Sequence, residues 1–324
     1  KINYKKDNFV LDIGANDGTF LNFFNGSNIF GIDPSIKKLH KHYNKNIKKL
    51  PFIFEKGYHL IKEKKFKIIS AFAMFYDLKN PVLFMKKVKK ILRQDGIFHI
   101  EVAYLPEIIK TFSYDTFCQE HYEYYSLISL NYLCEKTDMK IIDFGFNKIN
   151  GGSIWLNICH ASTKLKSKDK KLKKQINYEI LKGIDKKKTY IIFFKKVFRH
   201  GIKLKKIIKN LSDKEKKIYG FGASTKGNVL LQFSNINNKF IKGIFDINKD
   251  KFNRYTPLTK IKILDHKKIC MNPPDFFLVL PWHFKKNILK KDVNLLKKGV
   301  KYIFPLPDIK IYSYRNNMLT YSKL

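Results

Sequence analysis

The chain has 324 residues, 44% hydrophobic and 15% aromatic. At roughly 150 residues per domain this is enough for two buried cores, and it excludes a disordered chain, a collagen and a small disulfide scaffold. Lys and Arg outnumber Asp and Glu by 65 to 27, a formal charge of +38, which taken alone points to nucleic acid or an anionic membrane.

The first half alternates short apolar strands with helical stretches. Residues 9–13 read as a strand, 19–25 as the start of a helix, 28–32 as a strand and 34–43 as a helix. Strands follow at 52–55 and 68–72, then a helix over 82–92 broken by Gly96, and a strand over 97–102. This βαβα rhythm predicts a parallel sheet covered on both faces. Strands at 139–144 and 153–160, flanking Gly151-Gly152, add an antiparallel edge. From 162 to 217 the chain is Lys-rich, with apolar residues at near-helical spacing, and reads as an amphipathic connecting helix with solvated lysines. A second α/β unit opens at 218–222 and continues through strands at 241–246, 276–280 and 302–305. The expected organisation is a Rossmann-like domain over 1–162, then connecting helices and a second Rossmann-like α/β domain over 163–324.

Other signals narrow the class. No apolar run approaches the roughly 20 residues of a membrane helix, and no leader peptide is visible, so a cytoplasmic protein is expected. Lys1 is not an initiator Met and the chain enters a strand abruptly, which suggests that something upstream is missing. Cys118, Cys134, Cys159 and Cys270 are widely spaced, with no C-x-x-C pair and no His at ligand spacing, which argues for a reducing compartment and against a metal site. Cys134, Cys159 and Cys270 read as small buried apolar residues. Arginine occurs only at 93, 199, 254 and 315, and alanine only at 15, 71, 73, 103, 161 and 223. The lysine excess therefore follows A/T-rich codon usage as readily as function, and the planar fork favoured in phosphate and base recognition is nearly absent. No nucleic-acid or membrane partner is expected.

Residues 10–18, VLDIGANDG, form a strand ending in a glycine turn. Gly14 and Gly18 let the backbone approach a ligand and adopt angles that side chains resist, and a helix N-terminus beyond them would offer free amides. The spacing is not that of the dinucleotide fingerprint. Fifteen residues after Gly18, Asp33 ends the next strand, placed to accept both hydroxyls of a ribose. The pattern reads as an S-adenosylmethionine site, with Asp12, Gly14, Asn16 and Gly18 in the turn and Asp33 on the ribose. The other reading is that Asp12 and Asp33 cap strands.

Residues 114–125, YDTFCQEHYEYY, place one His, two Glu and four Tyr after the fifth strand, at the edge where open α/β sheets bind ligands. His is the side chain best matched to proton abstraction near neutral pH. In the second half, YGFGASTKGN at 219–228 follows a strand and opens a helix whose amides could hold a phosphate, with Lys226 adding charge. Trp282 and His283 end a buried strand. Trp282 reads as core or as a base-stacking platform, His283 as a ligand or as a satisfied structural residue.

These stretches, with AMFYDL at 73–78, NGGS at 150–153, residues 275–284 and FPLP at 304–307, resemble the SAM-dependent sugar C-methyltransferase family over nearly the whole chain. Its best-known members methylate the ring carbon beside the ketone of nucleotide-linked 4-keto-deoxysugars. The resemblance implies S-adenosylmethionine as cofactor, with Phe75 near it. It makes His121 the base and Glu120 its partner. It implies a small nucleotide-sugar substrate held by Tyr76, Cys118, Gly222, Lys226, Asn228, Asp246, Trp282 and His283. Three departures stand out. Cys118 occupies the place of a family Tyr, for which Tyr122, Tyr124 or Tyr125 would have to substitute. No trace of the family's N-terminal zinc-binding segment precedes Lys1. A Pro-Gly-Thr motif reads Pro257-Leu258-Thr259. Methyl transfer to oxygen or nitrogen, or a basic RNA-binding methyltransferase, remain as alternatives. A nicotinamide oxidoreductase fits neither glycine spacing.

Overall fold

Val10–Ile13 is apolar except for Asp12 and is buried on both faces, as a central parallel strand must be. In the computed structural model, which describes residues 4–271, 273–316 and 318–323, this strand (β1) is an interior strand, third in order, of the first of two seven-stranded sheets. The side chains of Asn150 and Cys270 lie outside the described set, so the expected burial of Cys270 does too. Cys134 and Cys159 are buried.

The first sheet comprises β1, β2 (Ile29–Ile32), β3 (Ile47–Leu50), β4 (Phe66–Phe72), β5 (Leu92–Ala103), β6 (Met139–Asn147) and β7 (Ser153–His160). Its order is β3-β2-β1-β4-β5-β7-β6. The first five strands are parallel, while β7 runs antiparallel to both β5 and β6, giving the expected antiparallel edge. The second sheet comprises β8 (Ile218–Phe221), β9 (Ile244–Asp246), β10 (Ile263–Asp265), β11 (Phe276–Val279), β12 (Lys301–Phe304), β13 (Lys310–Arg315) and β14 (Met318–Lys323). Its order, β10-β9-β8-β11-β12-β13-β14, repeats the arrangement of the first five strands. Each sheet therefore reverses its strand order once, between β1 and β4 and between β8 and β11, and the loops beyond those carboxyl ends form the ligand crevice of such folds. The fold is the expected pair of Rossmann-like α/β units.

Several elements differ from the sequence expectation. The helix expected from 19 is only a three-residue 3-10 turn, Leu21–Phe23. Leu21 is drawn into the core, and Asn25-Gly26 breaks the chain before β2. No helix N-terminus therefore supplies amides beyond Gly18. The helix expected over 34–43 is a short α-helix, α1 (Ile36–Leu39), followed by a 3-10 turn. The third strand is Ile47–Leu50 rather than 52–55, because Pro51 cannot donate to the ladder. Phe54–Gly57 becomes a helical turn (α2) that packs Phe54 against Phe84. Helix α3 (Pro81–Ile91) ends before Gly96, which lies inside β5. A Cβ there would meet Phe66 O at 2.8 Å, next to the register shift between Phe66 and Ile68.

The compact units are Lys1–Glu107 with Glu120–Lys186, and Ile108–Gln119 with Lys187–Leu324; the sequence reading divides the chain at 162–163 instead. Two helices span the lysine-rich stretch: α6 (Asp169–Leu181) and α7 (Lys187–Asp213). They follow α4 (Leu105–Lys110) and α5 (Leu127–Lys136). The α6 residues Leu172 and Ile176 pack on the first core. Glu179 of α6, fully buried, accepts hydrogen bonds from Tyr104 Oη at 2.5 Å, Leu127 N at 2.9 Å and Ile128 N at 3.0 Å. Those bonds fix α6 to the first unit. In the second unit, Tyr114 of the 108–119 segment packs with Phe193, Val197, Leu230 and Leu306, and its hydroxyl is 3.0 Å from His200 Nδ1. Helix α8 (Thr225–Phe233) follows β8 as expected, capped by Ser224.

Candidate active site

β1 ends at Ile13 and the chain turns through Gly14 (φ +76°), Asn16 (φ +46°) and Gly18 (φ +75°). Both glycines are required there. A Cβ on Gly14 would meet Met74 Cγ at 2.9 Å, and one on Gly18 would meet the Tyr43 ring at 2.6 Å. The turn is tied to the end of β2, since Asn16 N donates to Asp33 Oδ2 (3.1 Å), Ser35 N donates to Asp33 Oδ1 (2.6 Å) and Tyr43 Oη donates to Asn16 O (2.8 Å). Each Asp33 oxygen keeps lone pairs for a further donor. Asp12 lies beneath the turn, 3% exposed, and accepts from Ser70 Oγ at 2.6 Å. Burial, reinforced by the charge of Asp33, pushes its carboxyl up to about 7. Phe75 is fully buried, its ring packed on Phe84, Phe98 and Tyr125. Its side chain therefore belongs to the core rather than to an open ligand face.

Past β4, the turn Phe75–Asp77 is joined to the histidine segment. Tyr76 O accepts from the backbone of Tyr122 (2.9 Å) and Glu123 (3.1 Å). His121 lies against the Tyr76 ring with centroids 4.3 Å apart, and its Nε2 is 4.0 Å from Asp77 Oδ1. Burial, then the charge of Glu120, pushes the Asp77 carboxyl up to about 6. Glu120 and Tyr122 are exposed. Tyr125 is buried, its backbone carbonyl accepts from Leu105 N at 2.8 Å, and burial pushes its phenol up.

The second unit repeats the turn-and-acid arrangement. Gly222 (φ +79°) ends β8, where a Cβ would meet Pro281 Cδ at 2.9 Å. Ala223 N donates to Asp246 Oδ2 (2.8 Å), Asn248 N donates to Asp246 Oδ1 (2.8 Å), and Lys251 Nζ lies 3.6 Å from Asp246. Beyond β11, Trp282 Nε1 donates to Asp115 Oδ2 at 2.7 Å. Burial lowers the Lys226 ammonium, opposed by the charges of Asp115 and Cys118. Burial and Lys226 together hold His283 at about 4, so its imidazole is neutral. Asn228 is half-buried within α8, and Cys118 is also half-buried.

Residues 3–143 match the model of a methyltransferase domain, and residues 148–307 match that of the C-methyltransferase C-terminal domain. The chain belongs to the C-methyltransferase family. It is similar to C-methyltransferase NovU of Streptomyces niveus, 24% identical over 323 residues, which is 98% of this chain and 77% of that protein. A shorter similarity, 28% over 113 residues, is to the tRNA U34 carboxymethyltransferase of Campylobacter lari and covers 32% of this chain and 38% of that one. Among solved structures, the plantazolicin methyltransferase BpumL aligns with a TM-score of 0.38 at 16% identity, covering 48% of this chain and 79% of that one.

This C-methyltransferase uses S-adenosylmethionine, and the first turn fits it. The Asp33 carboxylate is pinned by two backbone amides with lone pairs to spare for donor hydroxyls, and the turn has no Cβ at Gly14 or Gly18. Among the described residues no cluster of His, Cys, Asp and Glu is arranged to hold a metal ion, and no helix is long and apolar enough to cross a membrane. The structure also brings two carboxylates to these clusters that the motifs did not single out. Asp77 lies within the AMFYDL stretch and Asp115 within the YDTF stretch, but only their neighbours distinguish them from ordinary surface acids.

Proposed function

We propose that this C-methyltransferase acts on the carbon beside the ketone of a nucleotide-linked keto-deoxysugar, a cytoplasmic small-molecule substrate, with His121 removing the proton. The observation that carries the reading is the placement of His121 between the Tyr76 ring and the Asp77 carboxylate. The ketone makes the neighbouring C–H acidic, and His121 takes that proton to leave an enolate. The resulting imidazolium is stabilised by the ionised Asp77 nearby, and Glu120 adds negative charge at the rim. When bound, S-adenosylmethionine supplies the methyl group as a sulfonium electrophile. Asp33 and the Gly14–Gly18 turn would hold the donor, Asp33 through its free lone pairs and the turn through its exposed backbone. The Gly222 turn at the start of α8 supports binding of the nucleotide diphosphate by the second unit, since the amides of a helix start suit phosphate. Cys118 cannot donate to an enolate oxygen as a phenol would, which leaves that role to a neighbouring tyrosine, Tyr122, Tyr124 or Tyr125. The test is mass spectrometry of nucleotide-keto-sugar pools incubated with the protein and methyl-labelled donor. Label appearing on a ring carbon is the expected result, and label on oxygen or nitrogen alone would refute the reading.

A further inference from the structure

In the second unit, the 3-10 turn Tyr114–Thr116 packs against α8, and the turn after β11 brings Trp282 and His283 to the same place. Asp115 is fully buried. One of its oxygens accepts from the Trp282 indole, while the other, Oδ1, is buried with no partner within the protein. Thr116 Oγ1 and His283 Nδ1 are buried and unpartnered as well. Such a group is costly unless something satisfies it, and folded proteins pair nearly all of them. Three on two converging segments, with Lys226 in electrostatic range of both Asp115 and His283, gather unsatisfied polar atoms at the carboxyl edge of the sheet, where ligands of this fold bind.

We propose that Asp115, Thr116 and His283 form a subsite for uncharged hydroxyl groups of the substrate, with Asp115 Oδ1 accepting from a ring hydroxyl. The inference rests on the nucleotide-sugar reading above. Charge balance selects hydroxyls over phosphate, because the ammonium of Lys226 already faces the Asp115 carboxylate and the His283 ring is neutral. The chemistry fits too: a carboxylate oxygen accepts only, a neutral imidazole nitrogen accepts or donates, and a threonine hydroxyl does both. Ribose and pyranose hydroxyls share this chemistry.

Trp282 reports on Asp115 directly, through its indole N–H. The chain has two tryptophans, so a Trp155→Phe background leaves Trp282 as the only indole. That protein is titrated with UDP-, dTDP- and GDP-linked hexoses and with the bare nucleoside diphosphates, following Trp282 emission, while S-adenosylhomocysteine affinity is followed by calorimetry. Asp115→Asn keeps an oxygen for the Trp282 N–H and puts a donor where Oδ1 accepts. It should weaken the cognate nucleotide sugar at least tenfold and leave S-adenosylhomocysteine binding unchanged. Loss confined to nucleotide sugars assigns the hydroxyl to the pyranose, and equal loss for the bare diphosphate assigns it to the ribose. Undiminished affinity for both overturns the subsite and makes the three polar groups purely structural. Failure of every nucleotide sugar to bind the parent protein, with S-adenosylhomocysteine still bound, overturns the substrate reading and the subsite with it. If Asp115→Asn does not fold, Thr116→Val, nearly isosteric, carries the same test with a loss of several-fold expected.

Discussion

His121 Nε2 lies 4.0 Å from Asp77 Oδ1, and the two residues arrive on turns joined by backbone hydrogen bonds from Tyr122 and Glu123 to Tyr76 O. The pair is therefore set by main-chain geometry rather than by two flexible side chains finding each other. At this distance an ion pair is worth about 1 kcal/mol in water and about 4 kcal/mol at a partly buried site. Asp77→Asn should accordingly reduce turnover about tenfold. Wild-type turnover should fall as pH drops through about 6, where the Asp77 carboxyl takes up its proton. The variant should show a shallower acid limb in a pH–rate profile, and an unchanged profile would remove Asp77 from the mechanism.

His121→Ala should retain donor affinity, because the Asp33 turn is built from other residues, and lose methylation by at least about a hundredfold, the lower range for a general base. In deuterated water, wild-type protein with substrate and S-adenosylhomocysteine should exchange the proton beside the ketone, and the variant should not. Near-normal exchange in His121→Ala would assign the base elsewhere.

Asp33→Ala removes a carboxylate that orders both Asn16 N and Ser35 N. Calorimetry should find donor binding weakened by about 1–3 kcal/mol, the scale of hydrogen bonds to a charged group. The matching change in the second unit, Asp246→Ala, should leave donor binding intact.

Asp12 makes an opposite contribution to stability. Its carboxyl titrates at about 7 in the fold and near 3.9 in the unfolded chain, so between these values the folded state holds the extra proton and stability falls as pH rises. The cost is absent below about pH 4 and complete above about pH 7, and its upper bound is ~4 kcal/mol. Asp12→Asn, which still accepts from Ser70, should match wild type in thermal melts at pH 4 and exceed it at pH 8. Coincident melting curves at pH 8 would show that Asp12 is solvated or stabilised in a way the geometry does not display.

Glu179 accepts three hydrogen bonds in a fully buried position and caps the first turn of α5. Glu179→Ala leaves two backbone amides and the Tyr104 hydroxyl without that acceptor. It should cost about 2–4 kcal/mol in denaturant unfolding.

The sequence by itself determined the two α/β units and most of the parallel strands, because strands buried on both faces are continuous apolar runs bounded by glycine turns, as at 10–13 and 276–279. It also determined the glycine turn after β1, since a backbone at φ +76° and +75° with no room for a Cβ restricts Gly14 and Gly18. The shorter elements were not legible. Pro51 moved a strand by several residues, and Leu21 entering the core reduced an expected helix to a single turn. Only the tertiary structure decided that α6 belongs with the first unit, through a buried glutamate indistinguishable in sequence from its solvated neighbours. Only it separated Asp77 and Asp115 from the other acids. A carboxylate's pKa and hydrogen-bonding capacity depend on burial and on groups brought from distant segments, such as Trp282 at Asp115, and those distances are set by sheet topology rather than by neighbours along the chain.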